Sequence, residues 1–508
     1  MHWIWWLILA PALLFIGFLI GKDISGYISS KFYQKQGFKT RYWPLIGQIR
    51  YFLPNSKHPE DGLYNFKQGM AEADGKPGLV VNDAMSGNAV IYITDLAVLK
   101  EFYLKEVSVC RRLETADLKV SFSFFYDNSE TAMTHRMVLS ELFQLDNISG
   151  NIPIIRETAR NHFKALVEGG EPKTVDFMSA AQLLLKDLAN KILFGAKDDQ
   201  MPKVEDGKGT TVTETIWLLL KEIGTMKGVL HPLNLLFFGL PNKYNLLEAS
   251  RIATGRAKLV SDAITKCYNQ RADDPSYKLG VNVLDLMIKN NKSDPKHFFT
   301  TKDIVGDTVL FLFAGSDSTS KTMSTCIWFL AKYPQIAEQI RKEVREKNLQ
   351  DSKLEIEDLD KCVTLNAFLN ECLRLHDPAP ATFDRLILKD FNLGQYNFRK
   401  GDRIVLPFCY QFTSTRNFAS GEEFNVDNFL GEKVKKIPHL AFIPFSSGRR
   451  GCLGKNLAET ILKISLIELL SLYELEVLDP TDKNAWTLGV GLDMKHCQVK
   501  CKPLPQAH

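Results

Sequence analysis

The chain has 508 residues, of which 45% are hydrophobic and 24% charged, an ordinary globular composition that excludes a disordered tail protein, a collagen-like rod and a polytopic transporter. Its 63 basic and 59 acidic residues leave a net charge of +4, which argues against a dedicated nucleic-acid-binding protein. The nine cysteines are scattered without a C-x-x-C pair, which favours free thiols in a reducing compartment.

The N-terminal segment 1–21 is predicted to be a transmembrane signal anchor. Residues 3–20 are 18 consecutive uncharged, mostly apolar positions. As a helix they would span about 27 Å, close to the hydrocarbon thickness of the endoplasmic reticulum. A cleaved signal peptide is the alternative, but no basic residue precedes the apolar run and no A-x-A site follows it. The basic residues that follow predict a single-pass protein whose bulk faces the cytosol: Lys22, Lys31, Lys35, Lys39 and Arg41.

The rest of the chain is predicted to be a basic linker with a Pro/Gly hinge over 22–48 and one large domain over 49–508. An alternating apolar pattern predicts a strand at 88–94. Helical spacing predicts long helices over 175–194 and 303–332, the second ending before Pro334. Strand patterns return between 383 and 410. The predicted fold class is therefore mainly α with a smaller β region.

The predicted long helix carries a small polar sequence at its centre, Ala314-Gly315-Ser316-Asp317-Ser318-Thr319. An acid beside an alcohol can relay protons into an otherwise apolar pocket, and Gly315 leaves room beside the helix. The alternative is an ordinary Ser/Thr-rich helix whose hydroxyls bond back to carbonyls four residues earlier.

Two further polar patterns follow. Glu371 and Arg374 are three residues apart, so they lie on one helix face and can form an ion pair. Most such pairs are solvated surface salt bridges. The second pattern is the glycine-rich run Phe445-Ser446-Ser447-Gly448-Arg449-Arg450-Gly451-Cys452-Leu453-Gly454. Its glycines let backbone N–H groups approach the sulfur, and the apolar run from Leu457 predicts a helix whose N-terminus favours a thiolate. The alternative is a buried structural cysteine.

These patterns, in this order, resemble the signatures of the cytochrome P450 superfamily over roughly residues 40–505. The cysteine run fits F-x-x-G-x-R-x-C-x-G, the pair fits E-x-x-R, and the helix sequence is similar to A/G-G-x-D/E-T-T/S with Ser318 in place of the usual threonine. The resemblance implies the cytochrome P450 fold and haem b as cofactor, with Cys452 as the axial ligand of the iron. It places Phe445, Gly448, Gly454, Ala314 and Gly315 around that cofactor.

The resemblance also implies roles for further residues. Glu371 and Arg374 would lock the segment before the cysteine run, where the family's usual third partner, an arginine, is replaced by Asn428. Propionate contacts would come from Arg450, from Arg136 in the family's W-x-x-x-R pattern, from Arg385 and from Arg112 or its neighbour Arg111. Ala132 stands where the tryptophan would fall, and His135 is a candidate substitute donor. Three phenylalanines would line the substrate side: Phe122, Phe124 and Phe125.

The function that the resemblance implies is a microsomal monooxygenase. It would insert one oxygen atom from O2 into a lipophilic substrate of the sterol, fatty acid or xenobiotic class, with Asp317, Ser318 and Thr319 delivering protons. Electrons would come through NADPH-cytochrome P450 reductase, with cytochrome b5 as a second candidate donor, because basic residues flank the cysteine run: Lys433, Lys435, Lys436, Arg449 and Lys455. The alternatives are a peroxide isomerase or dehydratase of the same fold, and a non-enzymatic membrane-tethered haem-binding protein.

Overall fold

The computed structural model describes residues 2–45, 47, 50, 62–83, 86–113, 119–167, 171–196, 200–223, 240–350, 353–478, 486–488, 492–494 and 497–504. Helices predominate in this part of the chain. In chain order they are α1 His2–Gln34, α2 Gly62–Ala71, α3 Leu96–Val109, α4 Ser123–Tyr126, α5 Glu130–Leu139, α6 Leu145–Lys164, α7 Phe177–Ala189, α8 Val212–Ile223, α9 Leu240–Lys243, α10 Glu248–Asp273, α11 Val283–Ser293, α12 Thr301–Lys332, α13 Pro334–Glu346, α14 Ile356–Asp360, α15 Val363–Leu375, α16 Phe408–Thr413, α17 Gly431–Val434 and α18 Lys455–Leu472.

The strands are short and form a smaller part of the fold. They are β1 Lys39–Arg41, β2 Gly78–Asn82, β3 Ala89–Ile93, β4 Cys110–Arg112, β5 Lys173–Asp176, β6 Arg385–Ile387, β7 Phe391–Leu393, β8 Tyr396–Phe398, β9 Arg403–Val405, β10 Tyr473–Val477, β11 Trp486–Leu488, β12 Leu492–Met494 and β13 Gln498–Pro503. The prediction of a mainly α fold with a smaller β region is therefore confirmed.

The chain divides into two compact units. The first contains Met1–Leu113, Ala379–Glu422 and Ile437–Arg450, and the second contains Glu114–Pro378, Glu423–Lys436 and Gly451–His508. The single domain predicted over 49–508 stays a prediction.

The first unit is built on a six-stranded sheet with the order β1-β2-β3-β9-β6-β4. β3 and β9 pair in parallel, with Ile91 opposite Ile404, and β4 and β6 pair antiparallel, with Arg112 opposite Arg385. Buried aromatic and aliphatic side chains from α1, α3 and the sheet form its core, including Tyr33, Phe102 and Phe412.

Helix α1 changes the interpretation of segment 22–48, which the sequence predicts to be a linker. The helix runs on to Gln34, and the Tyr33 side chain is fully buried and donates its hydroxyl hydrogen to Asp402, at 2.8 Å between the oxygens. Phe38 packs edge-on against Tyr33, with 5.6 Å between ring centroids. The second half of α1 therefore belongs to the core of the first unit, because its aromatic side chains have apolar surface to bury.

The predicted anchor lies in the first half of α1. The side chains of residues 1–12 lie outside those that the structure describes. Among the helices that it does describe, none combines the length and the apolar character needed to cross a membrane.

The second unit is organised around helix α12. The prediction of a helix over 303–332 is confirmed, and the helix starts two residues earlier because Thr300 and Asp303 cap it reciprocally. Tyr333 ends it, followed by Pro334 as the first residue of α13. Of the helix predicted over 175–194, the first two residues belong to β5 and the last five form a π-helical turn, Asn190–Phe194.

Candidate functional site

The cysteine run ends at the start of a helix, as its sequence predicts. Helix α18 begins at Lys455, with Gly454 in the N-cap position and the Ala458 amide donating to the Gly454 carbonyl at 2.8 Å. Cys452 lies three residues before Lys455, and it is the one exposed thiol among the nine cysteines. The helix dipole and the free N–H groups of the first turn favour a thiolate at this position. The alternative of a buried structural cysteine is excluded.

Gly454 lies beside the thiol and the Phe143 ring, at distances that would also accommodate a methyl group. A Cβ atom added there would lie 3.6 Å from Cε1 of Phe143 and 4.0 Å from Sγ of Cys452. The Phe143 ring also stacks on Phe311 of α12, with 5.7 Å between centroids. One aromatic ring therefore connects the thiol loop to the middle of the long helix.

The first half of the run is a tight turn. Ser446 and Gly448 have φ values of 59° and 69°, a region that glycine occupies without strain. A Cβ atom on Gly448 would lie 3.3 Å from the Tyr103 ring. The Tyr103 and Ser446 hydroxyl oxygens are 3.2 Å apart, and burial raises the pKa of Tyr103 to about 12, so the phenol stays neutral. Phe445 is half-buried, and Arg450 is buried at the end of the turn.

Glu371 and Arg374 form a fully buried ion pair, not a surface one. Both side chains are 0% exposed. The guanidinium donates through Nε to Oε2 and through Nη2 to Oε1, both at 2.8 Å, and Nη2 also donates to the Glu423 carbonyl at 2.8 Å. This two-point geometry holds the chain segment that contains Glu423 against helix α15.

Asn428 occupies the third position of this network, as the sequence predicts. Its Nδ2 donates to Oε2 of Glu371 at 3.1 Å, and the Asn425 amide donates to Oε1 at 2.6 Å. Glu371 therefore accepts four hydrogen bonds, and the two from Arg374 come from a charged donor. The other two come from the Asn425 backbone amide and the neutral Asn428 side chain, because Asn428 stands where the family has an arginine.

Helix α12 is buried along most of its length, but its centre is accessible. Ala314 and Ser318 are exposed there, and Leu310, Phe313 and Asp317 are half-buried. An accessible patch in the middle of a 32-residue core helix is a place where a bound group can lie.

The predicted relay residues have partners within their own helix. The Asp317 carboxylate pairs with Lys321, with 2.8 Å between Oδ2 and Nζ, and both side chains are largely buried. The Ser318 hydroxyl donates to the Ala314 carbonyl at 3.2 Å, which is the back-bonding pattern of an ordinary helical serine. Thr319 is buried. The acid and the alcohol are thus adjacent, and each has a hydrogen-bond or ion-pair partner within α12.

Gly315 serves packing between helices. A Cβ atom there would lie 2.7 Å from Cδ1 of Leu193, which belongs to the π-helical turn after α7. The expectation that Gly315 leaves room for a cofactor stays a prediction, and the Leu193 side chain lies beside this position.

The sequence profile of the family described as Cytochrome P450 matches residues 55–501 of this chain. The chain belongs to the cytochrome P450 family. Haem is the cofactor of this family, and the mainly helical structure with its small sheets fits the cytochrome P450 fold.

Individual cytochromes P450 match at lower similarity. Cytochrome P450 26A1 of Danio rerio is 25% identical over 344 residues, which cover 66% of this chain and 65% of that protein. Cytochrome P450 3A41 of Mus musculus is 23% identical over 465 residues, 88% of this chain and 87% of that protein. A steroid 17-alpha-hydroxylase/17,20 lyase of Ictalurus punctatus is 26% identical over 242 residues, 45% of this chain and 46% of that protein. The first of these matches spans somewhat less than two thirds of the relative's length.

Whether this chain fits haem, the cytochrome P450 cofactor, can be tested on the arginines that are predicted to contact the haem propionates. Arg112, Arg385 and Arg450 are all buried. Arg112 and Arg385 are direct neighbours across β4 and β6, and Nη2 of Arg112 donates to the Arg450 carbonyl at 3.0 Å. Arg385 pairs with Glu106. Arg112 and Arg385 are therefore buried and adjacent, and the buried Glu106 compensates the charge of Arg385. In the second unit, the exposed Cys452 thiol before the N-terminus of α18 is a donor that fits haem iron.

Arg136 and His135, both predicted to contact the cofactor, lie next to each other in α5 but have different surroundings. Arg136 is half-buried and donates through Nη2 to the carbonyl of Gly451, next to Cys452. His135 is buried, stacks on Phe299 at 3.7 Å between ring centroids, and has Nε2 3.1 Å from the His297 carbonyl oxygen. The structure does not bring His135 to the thiol loop, because adjacent residues on a helix point about 100° apart.

Aromatic side chains surround the accessible part of α12. Phe124, predicted to line the substrate side, lies 5.6 Å from Phe311 between centroids, and Phe122, the residue before α4, is buried. Trp217 packs 5.7 Å from Phe313. Its buried indole N–H has no acceptor among the described residues. Sequence reasoning overlooked Trp217, which the apolar pattern of α8 could have indicated as an inward-facing residue.

Proposed function

We propose that this protein is a haem-thiolate monooxygenase that inserts one oxygen atom from O2 into a lipophilic small molecule, with electrons from NADPH supplied by a separate reductase. The observation that carries this proposal is the exposed Cys452 thiol at the N-terminus of α18, in a loop that one aromatic ring links to the accessible centre of α12. The exposed thiol supports the proposal because the iron of a haem-thiolate protein needs an accessible cysteine sulfur.

The roles of the residues follow from their positions. Cys452 would ligate the haem iron, and the haem would supply oxygen activation by electron donation from the thiolate. Arg112, Arg385 and Arg450 would compensate the two propionates, assisted by Arg136, which also holds the Gly451 carbonyl. The aromatic side chains along α12 exclude water from the site.

Proton delivery is assigned to Asp317, Ser318 and Thr319. For the relay to work, the Asp317 carboxylate has to exchange Lys321 for water, and the Ser318 hydroxyl has to release the Ala314 carbonyl. A serine turns more readily than the usual threonine, since it lacks the methyl group that restricts the rotamer. The proposed relay is therefore less strictly ordered than one with threonine.

The test of the ligand assignment is spectroscopic. Cys452→Ala should lose the red-shifted ferrous-CO Soret band of thiolate-ligated haem. The matched control is Cys267→Ala, which removes a half-buried thiol on α10. Retention of the band in Cys452→Ala would show that another residue ligates the iron.

The test of the reaction is product formed per NADPH oxidised, with purified reductase and peroxide assayed in parallel. Ser318→Ala should lower this ratio and release more peroxide, and Ser318→Thr should raise it. Asp317→Asn should slow oxygen consumption with haem content unchanged. Unchanged coupling in both Ser318→Ala and Asp317→Asn would refute the relay.

A second candidate is a peroxide isomerase or dehydratase of the same fold. It is favoured by one observation, that Asp317 and Ser318 both have partners within α12, since such a reaction needs no protons from a relay. Turnover of a lipid hydroperoxide without NADPH and reductase would support it. Absence of turnover under either condition would favour the third alternative, a non-enzymatic haem-binding protein.

We also propose that the protein is anchored in the endoplasmic reticulum membrane by residues 1–21, with its bulk in the cytosol. The uncharged run 3–20 lies in helix α1 and is followed by basic residues. Removal of residues 1–21 should release a haem-loaded protein from membranes, because the buried part of α1 begins beyond the deletion, at Lys22. Persistent membrane association with the deletion would refute the single anchor.

The proposed electron donors are NADPH-cytochrome P450 reductase and, as a second donor, cytochrome b5. The support is the group of basic residues near the thiol loop, although two of these lysines pair with acids: Lys433 with Asp427 at 3.3 Å and Lys435 with Glu432 at 2.7 Å. Because such exposed pairs are weak, the lysines remain available to an acidic partner. Reductase-supported rates should fall steeply with added salt.

A further inference from the structure

The second unit contains an open cavity of about 650 Å³ at the beginning of helix α12. Three parts of the chain line it: the segment before α4, the end of α9 with the first half of α10, and the first turns of α12. The lining residues are Lys119, Val120, Ser121, Lys243, Asn245, Thr254, Ala257, Lys258, Ser261, Thr301, Lys302, Val305 and Gly306.

Positive charge dominates this cavity. Four of its lining residues are lysines, and none of them is an acid. Lys258 and Lys302 are exposed and have no ion-pair partner within the described part of the chain. The N-terminus of the 32-residue helix α12 lies in the same wall and adds a partial positive charge. The cavity therefore attracts an anion.

One wall of the cavity is strained and fixed in place. Lys119 has a φ of 62°, which an L-residue rarely adopts, and its ammonium group donates to the Asn242 carbonyl at 2.6 Å. Next to it, Val120 packs against the small apolar cluster of Leu219, Ala253 and Ala257. Lysines thus stand beside an apolar floor, and strained backbone of this kind concentrates at ligand sites.

The cavity and the half-buried part of the centre of α12 lie on one face of that helix, and the exposed Ala314 and Ser318 lie about 80° and 120° around the axis from it. At 100° per residue, Lys302, Gly306, Leu310, Phe313 and Asp317 fall within about 40° of the direction of Gly306. The cavity includes the first two, and the last three are half-buried at the helix centre. Lys302 and Asp317 are separated by about 22 Å along the axis, comparable to an extended long-chain fatty acid.

Between the cavity and the centre of α12, the backbone at Ser121 contacts this helix face at Gly306. A Cβ atom on Gly306 would lie 1.7 Å from the Ser121 carbonyl oxygen, so the segment before α4 rests directly on the helix backbone. Because Ser121 and Gly306 themselves line the cavity, a chain that extends from the cavity toward Leu310 has to pass this contact.

We propose that this cavity binds the anionic head of an amphiphilic substrate, a long-chain carboxylate, whose apolar tail lies along α12 toward the reaction centre. This inference rests on the proposed monooxygenase function. The lysines supply the charge, the hydroxyl groups of Ser121 and Ser261 supply further donors, and the shared helix face sets the distance from the head to the site of oxidation.

Binding is tested directly, without turnover. Palmitate is titrated calorimetrically into the haem-loaded full-length protein in phosphatidylcholine nanodiscs. The double variant K258Q/K302Q should raise the Kd for palmitate about tenfold, and each single variant about threefold, as expected for partly exposed ion pairs. Hexadecanol, which has the same chain without the charge, should bind equally well to both proteins. The matched control is K266Q, a lysine farther along α10 that pairs with Glu205 outside the cavity.

The position of oxidation is the second readout. If the head is fixed about 22 Å from Asp317, palmitate should be oxidised near its methyl end and dodecanoate should react much more slowly, because its shorter chain does not span this distance. K258Q/K302Q should scatter the palmitate products. Oxidation of both acids at the same distance from the methyl end and at similar rates would overturn the proposal.

Two further outcomes would also overturn it. The first is an unchanged palmitate Kd in the double variant with weaker binding to phosphatidylserine vesicles, which would assign the lysines to membrane phosphates. The second is oxidation of hexadecanol with no detectable binding of palmitate, in which case the monooxygenase function stands and the carboxylate site fails. Palmitate binding without turnover of any substrate would instead leave the carboxylate site standing and count against the proposed function.

Discussion

Asn428 offers a sharp test of how the buried network around Glu371 is held. In Asn428→Ala, Glu371 loses one of its four hydrogen bonds but keeps Arg374 and the Asn425 amide. A hydrogen bond to a buried charged group contributes about 1.5–3 kcal/mol. The distance of 3.1 Å from Asn428 is the longest of the four, so the loss should be near 2 kcal/mol, about a thirtyfold change in the unfolding equilibrium.

Two other variants set a scale for the loss of about 2 kcal/mol expected in Asn428→Ala. Glu371→Ala leaves the fully buried Arg374 without its carboxylate and should cost about 3–5 kcal/mol, together with most of the bound haem. Lys433→Ala breaks an exposed ion pair with Asp427 in the same segment and should change stability by less than about 1 kcal/mol. Asn428→Arg, which restores the family's usual residue, should stabilise the protein, since a guanidinium adds a charged donor to the same carboxylate.

The assay is urea unfolding of the haem-loaded protein, followed by loss of the thiolate-ligated Soret band and by far-ultraviolet circular dichroism. The midpoint should fall in the order Asn428→Arg, wild type, Asn428→Ala, Glu371→Ala. The reasoning would be refuted if Asn428→Ala were indistinguishable from Lys433→Ala, because the amide would then contribute no more than a surface charge.

Three other perturbations have defined outcomes. Lys321→Met removes the ion-pair partner of Asp317 and should change the solvent isotope effect on oxygen consumption while haem content stays constant; an unchanged isotope effect would remove Lys321 from the relay. Gly306→Ala places a methyl group against the Ser121 carbonyl and should displace the segment before α4, which limited proteolysis would detect as faster cleavage there; cleavage at the wild-type rate would contradict the close contact. In haem-extracted protein, a maleimide at neutral pH should modify Cys452 first, since it is exposed, whereas bound haem should protect it; mass spectrometry identifies the site, and equal labelling of the buried cysteines would argue against the exposure.

The selectivity expected for Cys452 has a physical cause in the other thiols. Burial raises the pKa of Cys110 and Cys501 to about 12 and that of Cys362 to about 11. Since the thiolate is the reactive form, these side chains are protected both by inaccessibility and by protonation.

The sequence predicts those parts of the site in which the chemistry requires particular residue types a few positions apart in the chain. The thiol loop and the Glu371–Arg374 pair are of this kind, and even the replacement of an arginine by Asn428 is predicted with its correct partner. The ends of α12 are equally local, because a capping pair begins it and Pro334 follows it.

Contacts between distant segments were not predictable in this way. Leu193 lies beside Gly315 and belongs to a π-helical turn, and no periodicity of the sequence shows that turn. Lys321 is four residues from Asp317, so its pairing is readable from helical spacing, yet the motif itself draws attention only to residues 314–319. The lysines of the cavity come from positions as far apart as 119 and 302. Tyr33 belongs to a stretch whose basic charge suggests a linker, and only its buried partner Asp402 shows otherwise.

The pairing of β3 with β9 has a consequence for synthesis on the ribosome. Ile404, the partner of Ile91 in this pairing, is synthesised 313 residues after it. At about 5–20 residues per second, that delay is roughly 15 to 60 s. During this time β2 and β3 can form their hairpin, but the far edge of β3 exposes unpaired backbone groups and apolar side chains, which is a template for aggregation. The N-terminal strands of this chain should therefore be a major point of contact for chaperones during translation, and a stalled or truncated product that ends before β9 should be insoluble.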